Sequence, residues 1–207
     1  MRPTNPEALQ DVIAIGVSAD GIGALHSILG SLPKEFPAAV VLVMHRGPTS
    51  AGALEQILGR RSGLPVKEVK GGEALTAGTV YVAPADQHLL VNDGHLEVKQ
   101  TEKINFSRPS IDVLFNSVAR IYGSRAIGVL LSGAGRDGAT GLHAIKARGG
   151  TTVVQDPGQA RFPNLPRAAI AADGIDFVLP IDSIGPALAR IVSIGKQQGP
   201  SSPAVSH

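Results

Sequence analysis

"VIAIGVSADGIGAL", residues 12–25, carries two secondary-structure periods in one short stretch. Val12–Val17 is apolar without alternation, the pattern of a parallel strand covered on both faces. From Ile22 the apolar residues recur at helical spacing, with Leu25 and Leu29 next on the same face. Between the two lie Ser18, Ala19, Asp20 and Gly21. A polar strand-to-helix turn of this kind is where open α/β sheets carry their ligands and reacting groups.

Working outward, the same alternation of strand and helix repeats along the chain. Short apolar or β-branched runs at Ala39–His45, Val66–Val69, Thr79–Ala83, Ala126–Ser132, Thr151–Gln155 and Ile175–Leu179 read as further strands. Ile111, Leu114, Phe115 and Val118 give a helical face, as do Leu188, Ile191 and Val192, with Asp182 or Ser183 as N-cap of the last helix. "LLVNDGHLEV" is different, because two runs around Asn92-Asp93-Gly94 predict a hairpin. The fold expected is α/β: a doubly wound, mainly parallel β-sheet with helices on both faces and an inserted antiparallel hairpin. Residues 1–11 and 196–207, rich in Pro, Ser and Gln, read as flexible tails around one domain at 12–195.

Composition narrows the function classes. The chain has 207 residues, enough for one sizeable core, with 43% hydrophobic and 17% charged residues. Only 3% is aromatic, Trp is lacking, and the net charge of +2 is dispersed. Neither base-stacking platforms nor a basic footprint for nucleic acid is indicated. Without cysteine there are no disulfides or thiolate metal sites, and the histidines have no metal-ligand spacing. The N-terminus lacks an apolar signal core and no stretch reaches the length of a membrane span, so a cytoplasmic protein without membrane insertion is expected.

Three polar residues fall just beyond strands: Ser18, His45 and Asp137, the last within "LLSGAGRDGATGL". They are the types of a serine hydrolase. A serine hydroxyl needs a base to take its proton, and a carboxylate fixes the base's tautomer and stabilises the imidazolium. Gly16 and Gly21 would permit a tight turn and close backbone approach, and N–H groups opening the next helix could hold an oxyanion. Each residue also has a plainer role open to it: Ser18 as a helix N-cap, His45 as a structural hydrogen-bonder, Asp137 as the N-cap of the helix that follows. A rival chemistry shares the region. "GAGRDG", residues 133–138, matches G-x-G-x-x-G, and Asp156 lies 18 residues past Gly138, near where a ribose-binding acid belongs. Against dinucleotide binding, the match comes late in the chain and places the Asp137 carboxylate beside the pyrophosphate.

Several segments together carry a family resemblance. "IGVSADGIGAL", "VMHRGP", "GTVYVAPADQHLLV", "RPSIDVLF", "LLSGAGRDGATGL" and "TTVVQDPGQARFPNLPRAAI" occur in the order seen in chemotaxis protein-glutamate methylesterases. The chain resembles their CheB-type catalytic domain from about Val12 to Ile194. The resemblance implies a cofactor-independent esterase with Ser18 as nucleophile, His45 as base and Asp137 as acid. Ala19, Gly21, Ala134 and Gly135 would then line the oxyanion site and active-site loop. It implies hydrolysis of methyl esters of glutamate side chains on chemoreceptors or related signalling proteins, and in some members deamidation of receptor glutamines. About ten residues precede the first strand, too few for the receiver domain of many relatives, so a stand-alone form or an excised piece is expected, with a response regulator as a separate partner.

Departures from the family pattern surround the expected site. Ser18-Ala19-Asp20-Gly21 replaces Ser-Thr-Gly-Gly, Ala134 replaces a common Met, Arg46 follows His45 in place of Met, and Asn164-Leu165-Pro166 replaces Gly-Met-Pro. A carboxylate at Asp20 near a developing oxyanion would oppose the transition state. A diverged, weakly active or inactive binding module is therefore the alternative to an active enzyme.

Overall fold

A computed structural model of the chain describes residues 11–18, 21–47 and 54–197. Ala19, Asp20 and most of both expected tails lie outside the described residues. In chain order the elements are β1 (Val12–Val17), α1 (Gly21–Ser31), β2 (Ala39–Met44), α2 (Leu54–Gly59), β3 (Val66–Glu68), β4 (Val80–Val82), β5 (His88–Asn92) and β6 (His95–Lys99). There follow α3 (Ile111–Tyr122), β7 (Ala126–Leu130), α4 (Ala139–Ala147), β8 (Thr151–Gln155), α5 (Asn164–Ala171), β9 (Phe177–Leu179) and α6 (Ile181–Gln197).

Seven strands form one sheet in the order β3-β4-β2-β1-β7-β8-β9, with every neighbouring pair parallel. β1 explains its own lack of alternation. Val12 and Ala14 enter the core shared with α3, α4 and α5, while Ile13, Ile15 and Val17 enter the core under α1 and α6. Both faces of the strand are dry, so both must be apolar. Each fully buried Leu or Ile of these cores contributes about 1.5–3 kcal/mol on leaving water.

The hairpin is a separate two-stranded sheet, β5 on β6, turned by Asp93 and Gly94 at φ 46° and 78°. Two consecutive positive φ values define the type I′ turn that the Asp-Gly pair favours. The hairpin packs on α3: Leu89, Val91 and Leu96 join the same core, and Val91 N–H donates to Ser117 Oγ at 3.0 Å.

Several boundaries differ from expectation. β2 stops at Met44, leaving His45 outside the ladder; β7 stops at Leu130; β3, β4 and β9 each keep three residues. Pairing sets these ends, and propensity alone overruns them. α6 begins at Ile181, so Asp182 and Ser183 lie inside its first turn and are not its N-cap. Asp182 instead accepts Ser27 Oγ–H at 2.7 Å, tying α6 to α1. The same helix runs to Gln197, two residues into the expected C-terminal tail.

The strand order creates one switch point. From β1 the chain passes outward to β2 on one side and later returns as β7 on the other. Connections leaving β1 and β7 therefore diverge at the carboxyl edge and open a crevice between them.

Candidate functional site

The register of β1 with its two neighbours brings the expected residues together. Val17 pairs with Met44, so Ser18 and His45 are the next residues on adjacent strands, and His45 N–H donates to Val17 O at 3.0 Å. On its other side Ser18 N–H donates to Ser132 O at 3.1 Å, just beyond β7. Asp137 arrives from the glycine-rich loop after β7, and His45 Nε2 lies 2.7 Å from its Oδ2. Among the described residues, neither Ser18 Oγ nor His45 Nδ1 takes a hydrogen-bond partner. Nε2 facing the carboxylate carries the proton, so Nδ1 is the ring nitrogen left with a lone pair.

Asp137 is the best-anchored of the three. Its Oδ2 also accepts Ile111 N–H at 2.7 Å, and its Oδ1 accepts Ser110 Oγ–H at 2.8 Å, Asp112 N–H at 3.1 Å and Asn105 Nδ2–H at 3.2 Å. Ile111 and Asp112 open α3, so the carboxylate caps the positive end of that helix. It does not cap α4, whose N-cap is Gly138 at φ 102°. Burial acts to raise the Asp137 pKa, but the hydrogen bonds from His45, Ile111, Ser110 and Asp112 outweigh it and hold the carboxyl below its ordinary 3.8.

Asp112 returns the arrangement. Its Oδ1 accepts Gly141 N–H at 2.6 Å, capping α4, and its Oδ2 accepts Asn105 Nδ2–H at 2.7 Å. Burial pushes the Asp112 carboxyl up, and the charge of Asp137 adds to the push, although the Gly141 N–H opposes it. Asn105 thus bridges two carboxylates that would otherwise repel. The arrangement also answers the dinucleotide alternative: the helix N-terminus after "GAGRDG" already holds Asp112, where a pyrophosphate would have to sit.

Sequence reasoning missed Asn105, Ser110, Asp112 and His88. His88 is buried, accepts Ser110 N–H on Nδ1 at 3.1 Å and donates from Nε2 to Glu102 O at 2.9 Å. It positions Ser110, which positions Asp137. The available signal was "RPSIDVLF" for Ser110 and Asp112 and "GTVYVAPADQHLLV" for His88, stretches that carried the family likeness but no assigned role; Asn105 lies in neither.

The glycines act by close approach. A Cβ at Gly16 would lie 2.3 Å from Ile111 Cγ2, and one at Gly21 would lie 2.1 Å from Val17 Cγ2. Neither has a positive φ, so the tight turn expected of them is not what requires glycine. Gly133 is equally crowded, its Cβ position 2.4 Å from both Ser18 Cβ and Leu165 Cδ1. Gly133→Ala is expected to destabilise the fold by about 1–3 kcal/mol through overpacking, and to displace Ser18. A melting curve checks this; an unchanged midpoint would remove the steric account.

Beyond Gly133 the loop surfaces. Ala134 and Gly135 are exposed, and among the described residues their backbone N–H groups have no hydrogen-bond partner. They follow Gly133, the residue that meets Ser18. Ala19, assigned to the same task from sequence, lies outside the described residues, as does Asp20. Arg46 departs from the family pattern with a defined role: its Nη2 donates to Glu68 Oε2 at 2.6 Å and Ala83 O at 2.9 Å. Next to His45 a cleft of about 330 Å³ is lined by Arg46, Lys103, Phe106 and Arg108 among others. Among the described residues no cluster of His, Asp and Glu could hold a metal ion, and no helix is long and apolar enough to cross a membrane.

Comparison with known proteins converges on one family. The CheB methylesterase family model matches residues 13–188. A provisionally named protein-glutamate methylesterase/protein-glutamine glutaminase of Leptospira interrogans is 43% identical over 182 residues, covering 87% of this chain and 94% of that protein. A protein-glutamate methylesterase/protein-glutamine glutaminase of Anaeromyxobacter dehalogenans is 40% identical over 181 residues, where the match spans 53% of the relative's length. In structure the chain is similar to the crystal structure of the Thermotoga maritima CheB methylesterase catalytic domain, with a TM-score of 0.84, 35% identity, and coverage of 87% of this chain and 98% of that one.

Proposed function

This chain belongs to the CheB methylesterase family, and from that premise we propose that it is a serine hydrolase removing methyl esters from glutamate side chains of chemoreceptors or related signalling proteins. It would act in the cytoplasm, without a cofactor. The observation that carries the reading is the His45 Nε2–Asp137 Oδ2 contact beside Ser18, at the carboxyl edge of the sheet.

In the proposed mechanism Ser18 Oγ attacks the ester carbonyl while His45 Nδ1 takes its proton. Asp137, fixed by α3, keeps the Nε2–H tautomer and stabilises the imidazolium. The Ala134 and Gly135 N–H groups, with that of Gly21, would donate to the oxyanion. His45 then protonates the leaving methoxide, giving methanol and an acyl-enzyme. Water attacks that acyl group, His45 takes its proton and returns it to Ser18 Oγ, and the glutamate carboxylate is released. The same steps applied to a glutamine amide release ammonia.

The test is methanol release from a methylated chemoreceptor by the wild-type chain, combined with trapping by a phosphonate ester. Methanol release with the phosphonyl group on the Ser18 peptide is expected. A label on another residue would reassign the nucleophile. Failure to release methanol would favour the diverged binding module suggested by Ala19 and Asp20.

A further inference from the structure

The segment between the hairpin and α3 ends in a feature the mechanism does not use. Ile104 and Ser107 exchange both backbone hydrogen bonds, at 3.1 and 2.9 Å, closing a two-residue turn around Asn105 and Phe106. Both central residues have positive φ, 53° and 63°. Asn accepts this conformation readily; a bulky aromatic does not, and glycine is the residue that normally stands there. Phe106 is nevertheless 98% exposed, and Ile104, two residues earlier, is 43% exposed. The turn therefore spends backbone strain to hold an aromatic ring in water, at the lining of the cleft that contains His45.

The turn is also fixed to the reacting groups. Asn105, next to Phe106, donates to Asp137 and Asp112. Arg108, two residues on, donates to Asp86 Oδ1 at 2.9 Å and Thr101 O at 2.6 Å, tethering the other arm. A side chain displayed on a rigid mount loses little freedom when something binds it, which is the property of an anchor at a recognition surface.

We propose that Phe106 is a specificity-determining residue of the esterase, a prong that docks an apolar side chain of the protein segment carrying the methyl-esterified glutamate and so presents the ester to Ser18. The proposal rests on the methylesterase reading above. The occupant is the protein substrate, because the ring borders the cleft at His45 and its neighbour is bonded to the acid that orients that histidine. A small ester has nothing to reach the prong and is indifferent to it.

Phe106→Gly separates strain from function. Glycine adopts the turn without strain, so the melting temperature is expected to rise by about 2–4 °C. In the same variant, kcat/KM on a methylated chemoreceptor segment is expected to fall tenfold or more, mainly through KM, the scale of one aromatic side chain leaving water. Hydrolysis of p-nitrophenyl acetate is expected to stay within about twofold of wild type. A kcat/KM on the receptor segment within about twofold of wild type overturns the proposal, as does an equal loss on both substrates or a fall in melting temperature. Failure of the methylesterase reading is distinct: the wild-type chain would release no methanol. Calorimetric titration of the same segment then decides the prong, with at least fivefold weaker binding to Phe106→Gly supporting it and equal binding rejecting it.

Discussion

Ser18→Ala is expected to lower kcat for methyl-ester hydrolysis by roughly 10⁴–10⁶-fold while leaving the melting temperature within about 2 °C of wild type. The loss follows from removing the attacking oxygen; what remains comes from binding and oxyanion donors. Stability is retained because Ser18 Oγ bonds to nothing among the described residues, whereas its structural contacts are kept by alanine. The backbone N–H still donates to Ser132 O, and the Cβ that meets Gly133 is unchanged. Methanol release and a thermal melt on the same preparation check both halves. A variant retaining a tenth of wild-type turnover would exclude Ser18 as nucleophile.

Asp137→Asn is expected to cost both activity and stability. All five partners of the carboxylate are donors: His45 Nε2 and Ile111 N on Oδ2, and Ser110 Oγ, Asp112 N and Asn105 Nδ2 on Oδ1. Either orientation of an asparagine amide sets its NH₂ against a backbone N–H, and no backbone N–H can become an acceptor. With the NH₂ on the Oδ2 side, His45 must accept through Nε2 and carry its proton on Nδ1. The base then faces the nucleophile already protonated. A fall in kcat of about 10⁴-fold is expected from the tautomer alone, and about 2–4 kcal/mol of stability from the opposed donors and the uncapped helix.

The pH dependence of that stability difference has a definite sign. Hydrogen bonding holds the native Asp137 pKa below the unfolded value of about 3.9. Its contribution is therefore complete above the unfolded value and is lost as pH falls through the native one. The asparagine variant does not titrate at this position, so the gap between the two proteins should narrow below about pH 4. Urea unfolding at neutral and acid pH measures it, and a gap that widens on acidification would contradict the assignment.

The two substitutions also separate the roles that the sequence left open. Ser18 Oγ takes no partner among the described residues, and Asp137 caps α3 in place of the helix that follows it. His45 is a hydrogen-bonder, and its partner is the acid. The plainer reading of each residue assigned its bonds within its own loop. The structure sends the bonds of Asp137 to residues 25 and 26 positions away in sequence.

What the chain determines locally, the sequence alone revealed. The apolar run Val12–Val17, the 22-25-29 spacing of α1 and the Asp93-Gly94 turn are each decided by residues a few positions apart, and each was legible. So was the placement of Ser18 and His45 just beyond strands, because a polar residue ends an apolar run visibly. Strand ends were less legible: Met44 and Leu130 are the last paired residues of their strands because pairing across the sheet, and not residue type, sets those ends. The support of Asp137 was not legible at all. Asn105, Ser110 and Asp112 reach it only because β7 lies beside β1 and α3 crosses the end of both. Hydrogen-bond direction between segments that far apart is fixed by packing, so only the tertiary structure decided which residues hold the acid and which helix it completes.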